Sequence, residues 1–250
     1  MAWRKNMKNK FKIKVVKNYE AMSQKAAEEI IKALKKKQRT VISIATGATP
    51  SRTYELLAAE RVKSPELFAQ IYIIKLDEWG GVPLNDPATC ETEINEKIIV
   101  PLNVSSDRYI TFDNTPEKME QSLVDYQVKI DALGGIDLCI LGLGKNGHIG
   151  LNDPAETLEL EAHVAHNLSE QTLHHTMTEK SDGHISYGLT LGMRSIFEAK
   201  KVLFLVSGKS KQEIFAKFKE KKISTQNPAS LLWLHRDVLC LCDKEANEKK

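Results

Sequence analysis

Five short apolar runs divide this sequence, and they limit the folds open to it more than any other feature. Each run is continuously apolar and rich in β-branched residues, a pattern typical of strands that are buried on both faces of a parallel sheet. The runs cover residues 40–45, 71–76, 136–141, 202–206 and 238–242.

Helical patterns lie between these runs. Apolar side chains recur with a period of about 3.6 residues over residues 22–34, 119–130 and 214–218. The pair Gly134 and Gly135 is predicted to end the second of these helices. Alternation of strand and helix predicts an α/β fold with a doubly wound, mostly parallel sheet flanked by helices. Residues 1–250 contain no internal repeat, linker or change in composition, so we expect a single domain.

Charge and cysteine content exclude several classes of protein. Seven Lys and Arg residues precede the first acid, Glu20, and without them the net charge of +3 becomes −4. The body of the chain is therefore not a nucleic-acid platform, and we expect the basic start to be a solvated, partly frayed end. No stretch is apolar enough for a signal peptide or a membrane span. The four scattered cysteines indicate free thiols in a reducing cytoplasm.

Polar and glycine-rich residues follow four of the predicted strands. Thr46 follows the first strand, Asp77 the second, a glycine loop containing His148 the third, and the segment from Ser207 to Lys211 the fourth. In a doubly wound sheet the ligand binds outside the carboxyl ends of the strands. We therefore expect the active site at this edge of the sheet.

Two of these loops have the features of a phosphate site. Thr46, Gly47, Ala48 and Thr49 lie between a strand and a helix, where backbone N–H groups and hydroxyls bind anions. Lys211, in the second loop SGKSK, is placed to contact the same phosphate as a point charge. Neither loop has the spacing of a nucleotide P-loop. The predicted ligand is therefore a single phosphate on a small metabolite.

Two aspartates and a histidine are the candidates for catalysis. Asp77 ends an apolar run and is expected to face the pocket, where partial desolvation raises a carboxyl pKa and suits the group to act as a base. His148 lies in the loop LGLGKNGHIGLNDP, and Asp153 in the same loop is a candidate to fix its tautomer. A metal site made of these three residues matches no established ligand spacing, so we expect none.

The glycines of this loop also have the spacing of a dinucleotide-binding fingerprint, but their context contradicts that interpretation. Such a fingerprint lies in the first βα turn and opens a helix, whereas these glycines follow at least the third core strand. Residues 151–154 (LNDP) come soon after them, and the residue before a proline is biased out of the helical region. We therefore expect no dinucleotide cofactor.

The other histidines are predicted to be structural or solvated. Residues 163–184 form a polar stretch without periodicity, which we expect to be a lid or surface region, although His174 or His175 in it could contact a phosphate. His235 follows an apolar segment and is expected to be structural.

Five stretches, in chain order, resemble the amino-sugar-phosphate isomerase/deaminase family, which includes glucosamine-6-phosphate deaminase and shares its fold with 6-phosphogluconolactonase. They are TGATP, LDEW, GLGKNGHIGLNDP, SGKSK and PASLLWLH, and the resemblance spans about residues 40–240. The segments KLDEW, PATCET and DLCILGLGKNGH are most similar to the bacterial galactosamine-6-phosphate isomerase branch of that family.

The resemblance implies a role for each candidate residue. Asp77 becomes the base that moves a proton between sugar carbons 2 and 1, His148 opens the pyranose ring, and Asp153 orients His148. Asn146 stands where the glucosamine enzymes have an acid of their catalytic group. The implied phosphate site consists of Thr46, Gly47, Ala48, Thr49, Lys211 and His175, the last of which aligns with a phosphate-binding arginine of the glucosamine enzymes.

The implied reaction converts galactosamine 6-phosphate to tagatose 6-phosphate and ammonia without a cofactor, as an aldose–ketose isomerase/deaminase classed with hydrolases. Three alternatives stay open: a glucosamine-6-phosphate deaminase giving fructose 6-phosphate, a 6-phosphogluconolactonase, and a non-catalytic sugar-phosphate sensor. The lactonases have Arg after the Asp-Glu pair and an acid before Gly-His, where this chain has Trp79 and Asn146. Expected partners are the sugar phosphate and, as an open alternative, a second copy of the chain, with no nucleic acid or membrane.

Overall fold

A parallel sheet forms the centre of the molecule. The computed structural model describes residues 10–173, 181 and 184–248. In these ranges seven strands pair in parallel, in the order β1-β10-β9-β6-β2-β3-β5. The strands are β1 (Lys10–Val16), β2 (Thr40–Ile44), β3 (Ile71–Lys75), β5 (Tyr109–Ile110), β6 (Leu138–Gly142), β9 (Val202–Val206) and β10 (Asp237–Asp243).

Helices cover both faces of this sheet, and two apolar clusters lie between the layers. In the described ranges the helices are α1 (Tyr19–Leu34), α2 (Ala48–Lys63), α3 (Cys90–Ile94), α4 (Val100–Leu102), α5 (Met119–Ala132), α6 (Glu170–Leu173), α7 (Met193–Glu198), α8 (Gln212–Lys219) and α9 (Lys244–Asn247). A π-helical turn, Asn95–Ile99, joins α3 to α4, and longer 3₁₀ turns occupy Pro65–Phe68 and Pro228–Leu234. No helix in the described ranges is long and apolar enough to span a membrane.

The predicted α/β fold is confirmed. The five continuous apolar runs became β2, β3, β6, β9 and β10, because each carries side chains that are buried on both faces of the sheet. The helix α5 ends before Gly134 and Gly135, which have φ angles of 77° and 79°. Glycine adopts this left-handed conformation without strain, so the pair turns the chain towards β6, as predicted.

The prediction of a frayed basic start is wrong for Lys10–Val16. This segment, KFKIKVV, is the edge strand β1, and it pairs with β10 along its whole length. Its apolar side chains alternate with lysines, so one face of the strand packs while the other faces solvent. Phe11 stacks on the Trp233 ring with centroids 3.9 Å apart. Lysines on an edge strand also oppose edge-to-edge aggregation, a use of charge that a count of basic residues does not reveal.

A second, smaller sheet was not predicted. It is antiparallel, has the order β4-β8-β7, and consists of β4 (Asp77–Gly80), β8 (Tyr187–Thr190) and β7 (His163–Ala165). Asp77 therefore opens a strand of its own and is paired with Thr190 across the sheet. In the stretch 163–184, expected to be a lid or surface region, residues 163–165 form β7 and residues 170–173 form the short helix α6.

The direction of the strand order changes between β2 and β6. From β2 the order runs outwards through β3 and β5, and from β6 it runs the other way through β9 and β10. At such a switch point the connections leave the sheet on opposite faces, so a crevice opens beyond the carboxyl ends of the two central strands. The segment beginning at Thr46 and the glycine loop beginning at Leu143 flank this crevice.

Candidate active site

Asp77 lies in a polar cluster just beyond the carboxyl end of β3. The Cys90 thiol donates a hydrogen bond to Asp77 Oδ1 at 3.6 Å, and the Thr46 hydroxyl donates to Cys90 Sγ at 3.1 Å. Burial raises the pKa of the Cys90 thiol well above its usual value, so the group stays protonated and donates. Two predicted site residues, Thr46 and Asp77, are thus joined through a third that the sequence did not indicate.

The environment of Asp77 raises its pKa to about 7. Burial is the largest cause, since a carboxylate loses its hydration there, and the neighbouring Glu78 carboxylate adds like-charge repulsion. The hydrogen bond from Cys90 and the positive charge of Lys75 oppose these effects only in part. A carboxyl group with a pKa near 7 is suited to remove a proton at neutral pH and to return it.

Glu78 turns away from Asp77 and anchors the start of α3. Its carboxylate accepts hydrogen bonds at 2.8 Å from the backbone N–H groups of Trp79, Cys90 and Glu91. The ammonium group of Lys75 lies 3.2 Å from Glu78 Oε2, and both side chains are fully buried. Adjacent residues on a strand point to opposite sides. The Asp77 carboxylate accepts the Cys90 thiol, whereas the Glu78 carboxylate accepts backbone N–H groups.

His148 and Asp153 form the second cluster. Nδ1 of His148 lies 3.0 Å from Asp153 Oδ1, and the Thr172 hydroxyl lies 3.1 Å from Nδ1 and donates to Asp153 Oδ1 at 2.7 Å. The His148 side chain is 19% exposed and that of Asp153 only 9%. The imidazole is therefore accessible from the crevice, while the carboxylate is held behind it.

Hydrogen bonds keep Asp153 ionised. Burial would raise its pKa, but hydrogen bonds from His148, the Ser169 N–H and the Thr172 hydroxyl outweigh that effect and lower it below the usual value. A carboxylate bound to Nδ1 places the ring proton on that nitrogen. Nε2, the other ring nitrogen, is then the one available to a ligand.

Asn146 supports both partners of this pair. Its side-chain amide donates to Asp153 Oδ1 at 3.2 Å and to the Ser169 hydroxyl at 2.9 Å. Its side-chain carbonyl oxygen accepts the backbone N–H of His148 at 3.1 Å. Gly144 packs directly on the imidazole, since a Cβ at that position would lie 2.3 Å from the ring. Gly144 therefore provides room for the His148 ring rather than for a nucleotide.

The structure agrees with the rejection of a dinucleotide loop. Leu143 to Ala162 contain no helix, and β6 is the sixth strand along the described chain. The loop instead packs back on neighbouring elements. The Leu151 N–H donates to the Thr190 hydroxyl at 3.1 Å, and the Ala229 N–H donates to the Gly147 carbonyl at 2.8 Å.

The predicted phosphate loop before α2 is partly engaged within the protein. The Gly47 N–H donates to Glu93 Oε1 at 3.0 Å, and the same oxygen binds the ammonium group of Lys97 at 3.0 Å. The Thr46 hydroxyl is bonded to Cys90. An anion at this loop would therefore use the remaining N–H groups at the start of α2, at Ala48 and Thr49.

Lys211 lies at the end of the second predicted loop. Burial and the nearby charge of Lys145 lower its pKa to about 8. Asp243 fixes this loop, because it accepts hydrogen bonds from the Ser207 hydroxyl and the Gly208 N–H. Lys211 forms no salt bridge with any residue that the structure describes, and a half-buried ammonium group of this kind is stabilised by an anion. His175 lies outside the described residues.

Cys90, Ser169, Thr172 and Glu93 are the site residues that sequence reasoning missed. Cys90 lies in PATCET, but nothing in that stretch marked it as a site residue, and Glu93, Ser169 and Thr172 belong to no motif. His235 is structural, as predicted, because its Nε2 is buried against the Ala199 carbonyl at 2.9 Å. Within the described part of the chain, no three His, Cys, Asp or Glu side chains lie together as a metal site requires.

Comparison with known proteins shows the family of this chain. The family described as glucosamine-6-phosphate isomerases/6-phosphogluconolactonase matches residues 16–240. The chain is 40% identical over 227 residues to the protein named "Putative deaminase AgaI" of Escherichia coli (strain K12), covering 90% of this chain and 89% of that protein. It is 35% identical over 238 residues to a glucosamine-6-phosphate deaminase of Thermoanaerobacter sp. (strain X514), covering 94% and 93%.

Solved structures give the same result. A structure described as a monomeric glucosamine-6-phosphate deaminase superposes with a TM-score of 0.89 at 33% identity, covering 94% of this chain and 98% of that one. The 6-phosphogluconolactonase from Leishmania guyanensis superposes with a TM-score of 0.74 at 21% identity, which shows a shared fold alone. The family match, the similarity to curated relatives and the shared fold show that this chain belongs to the glucosamine-6-phosphate isomerase/6-phosphogluconolactonase family, among its amino-sugar-phosphate deaminases.

Proposed function

We propose that this chain converts galactosamine 6-phosphate to tagatose 6-phosphate and ammonia. The observation that carries the proposal is Asp77, a carboxyl group with a pKa of about 7 beyond the carboxyl end of β3, together with the His148–Asp153 pair beyond the carboxyl end of β6. A sugar bound there would meet one group suited to proton transfer at carbon and a second suited to proton transfer at oxygen. The isomerisation of an amino sugar needs both.

Ring opening is the first proposed step. His148 takes the proton from the anomeric hydroxyl through Nε2 and delivers it to the ring oxygen as the C1–O bond to that oxygen breaks. Asp153 stabilises the imidazolium that forms in between, because it accepts the Nδ1 proton at 3.0 Å. The Thr172 hydroxyl keeps the two groups aligned.

Proton transfer between carbons is the second step. Asp77 removes the C2 proton of the open aldehyde while O1 takes a proton from the C2 ammonium group, which leaves a neutral enolamine, and Asp77 then returns its proton to C1. The product of this transfer is an iminium at C2, which water attacks with release of ammonia to leave the ketose phosphate. Water is consumed only here, and this is the step that gives the reaction its hydrolytic character.

The phosphate group is proposed to bind between the two loops at the carboxyl ends of β2 and β9. The N–H groups of Ala48 and Thr49 at the start of α2 and the ammonium group of Lys211 supply the contacts. Thr46 and Gly47 shape this loop through their bonds to Cys90 and Glu93. His175 is kept as a further proposed phosphate contact on the resemblance alone.

Preference for the galacto epimer rests on the resemblance of KLDEW, PATCET and DLCILGLGKNGH to that branch. In the fold, Cys90 of PATCET bonds directly to Asp77 of KLDEW. The four cysteines are free thiols, which agrees with our proposal of a reducing, cytoplasmic location.

Product analysis on three substrates side by side tests the function. We expect ammonia and ketose phosphate in equal amounts from galactosamine 6-phosphate, with a larger kcat/KM than for glucosamine 6-phosphate. A larger kcat/KM for the gluco epimer would assign the chain to the glucosamine enzymes instead. Hydrolysis of 6-phosphogluconolactone with no ammonia from either amino sugar would replace the proposal with a lactonase.

A further inference from the structure

Within the described part of the chain, one side chain donates a hydrogen bond to the carboxylate of Asp77. Cys90, the first residue of α3, donates its thiol to Oδ1 at 3.6 Å, and Oδ2 accepts no hydrogen bond from any described residue. Cys90 is 2% exposed, so bulk water does not compete for the thiol. The mechanism proposed above uses Asp77 and gives Cys90 no part.

Hydrogen bonds to two neighbours fix the orientation of the Cys90 thiol. The Thr46 hydroxyl donates to Sγ at 3.1 Å, and because sulfur accepts there, its single proton is free to lie towards Asp77. Glu78 accepts the backbone N–H groups of Cys90 and Glu91 at 2.8 Å each, which anchors the start of α3. The thiol therefore reaches Asp77 from a fixed backbone.

The other titratable and charged groups around Asp77 are engaged elsewhere. They are Lys75 on β3, Glu78 on β4, Glu93 on α3, Tyr54 on α2 and Tyr126 on α5. The ammonium group of Lys75 pairs with Glu78, and the carboxylate of Glu93 pairs with Lys97. The hydroxyls of both tyrosines donate to backbone carbonyl oxygens at 2.6 Å. A change at Cys90 leaves all these groups in place.

A thiol is a weak hydrogen-bond donor, and this property suits the neighbour of a base. Two or three backbone N–H groups can lower the pKa of a carboxyl group below about 2, where it no longer acts as a base at neutral pH. The N–H groups at the start of α3 are donors of this kind, but Glu78 accepts those of Cys90 and Glu91. Asp77 is left with one weak donor, which orients the carboxylate and keeps it basic.

We propose that Cys90 is a positioning residue: its thiol fixes Oδ1 of Asp77, sets the basicity of the carboxylate, and leaves Oδ2 to take the C2 proton of the sugar. This inference rests on the proposed function, in which Asp77 is the base, and adds to it a residue and a reacting atom. In this role Cys90 exchanges no proton with the sugar and acts only through Asp77.

Carbon-13 NMR of the side-chain carboxyl groups tests the inference on the protein without substrate. The signal of Asp77 is the one that disappears in Asp77→Asn, and its change with pH gives the pKa of this group. Cys90→Ala should raise the pKa of Asp77 by about half a pH unit or more, the usual effect of losing one hydrogen bond to a carboxylate. Cys90→Ser restores a donor and should return the pKa to the wild-type value or below it.

Cys240→Ala is the matched control for these variants. It removes another buried thiol, on β10, which three strands separate from β3 in the sheet. We expect it to leave the pKa of Asp77 unchanged.

The dependence of kcat/KM on pH, measured by ammonia release, separates this role from a purely structural one. In Cys90→Ala the acid limb should move to higher pH by the same amount as the pKa measured by NMR, because the ionised base is required. KM above that limb should stay near the wild-type value. A purely structural loss would lower kcat at every pH and leave the limb in place.

Three results would overturn the inference. They are an unchanged or lowered pKa of Asp77 in Cys90→Ala, a pKa in Cys90→Ser that equals or exceeds that in Cys90→Ala, and an acid limb of Cys90→Ala that stays at the wild-type pH. If the wild type releases no ammonia while the pKa of Asp77 rises in Cys90→Ala and returns in Cys90→Ser, the proposed function fails. The role of Cys90 in setting the basicity of Asp77 then stands.

Discussion

Replacement of Asp77 by Asn should stabilise the folded protein in a pH-dependent manner. A rise of the Asp77 pKa from 3.8 to about 7 means that the folded state resists ionisation of this carboxyl. At ~1.4 kcal/mol for each pH unit, the ionised carboxylate costs about 4 kcal/mol of folding free energy. This is an upper limit, because Asp77 is only partly shielded from water and solvent reduces the effect. We expect a gain of about 2–4 kcal/mol from Asp77→Asn at pH 8.

The sign of the pH dependence follows from linkage. Below about pH 4 the carboxyl is protonated in both the folded and the unfolded chain, so it contributes no pH dependence there. Between about pH 4 and pH 7 the folded chain keeps a proton that the unfolded chain has lost, and the stability of the wild type falls as the pH rises. The advantage of Asp77→Asn should therefore grow from pH 5 to pH 8 and then level off.

Urea unfolding at half-unit pH intervals measures this difference. The difference in unfolding free energy between the two proteins cancels the titrating groups that they share. Asp125→Asn, on the exposed face of α5, provides a matched Asp-to-Asn control. The reasoning is refuted if Asp77→Asn gives a stability difference that is constant from pH 5 to pH 8, or one that shrinks as the pH rises.

Three further predictions concern the rest of the site. The plot of kcat/KM against pH should be a narrow bell, with an acid limb near pH 7, where Asp77 ionises, and an alkaline limb near pH 8, where Lys211 loses its proton. Lys211→Arg should move only the alkaline limb, to higher pH. Thr172→Val should lower kcat about tenfold with little change in KM, because it removes a bond that aligns His148; an unchanged kcat in steady-state assays would contradict that. Asn146→Asp should lower the free energy of unfolding at pH 7 by about 1–3 kcal/mol, because a carboxylate would replace the amide that donates to Asp153. Urea unfolding at pH 7 and pH 4 checks whether this loss of stability disappears in acid.

The sheet could be predicted because its signal is local. A strand buried on both faces needs a continuous apolar run, and five such runs gave five strands near their observed positions. The edge strand β1 has one solvated face and carries lysines on it, so its pattern was read as a charged tail. The four residues of β4 are too few to show any period.

The residues of the candidate site also fall into those that the sequence predicted and those that it did not. Asp77, His148 and Asp153 could be identified because they follow strands, and the carboxyl ends of parallel strands meet at one edge of a sheet. Cys90 and Thr172 could not, because each reaches the site only through packing of a distant helix. The composition of the loop at Gly47 predicted an anion site, but it could not show that Glu93 already accepts the N–H of this glycine.

Ammonia release by the wild type and by Asp77→Asn, at saturating galactosamine 6-phosphate, tests the central claim most directly. A positioned base typically contributes about 10²–10⁴-fold to the rate. We expect the variant to bind the sugar phosphate with little change in affinity, as measured by calorimetry, and to release ammonia at least about 100-fold more slowly. Ammonia release by Asp77→Asn at a rate near that of the wild type would contradict the assignment of Asp77 as the base.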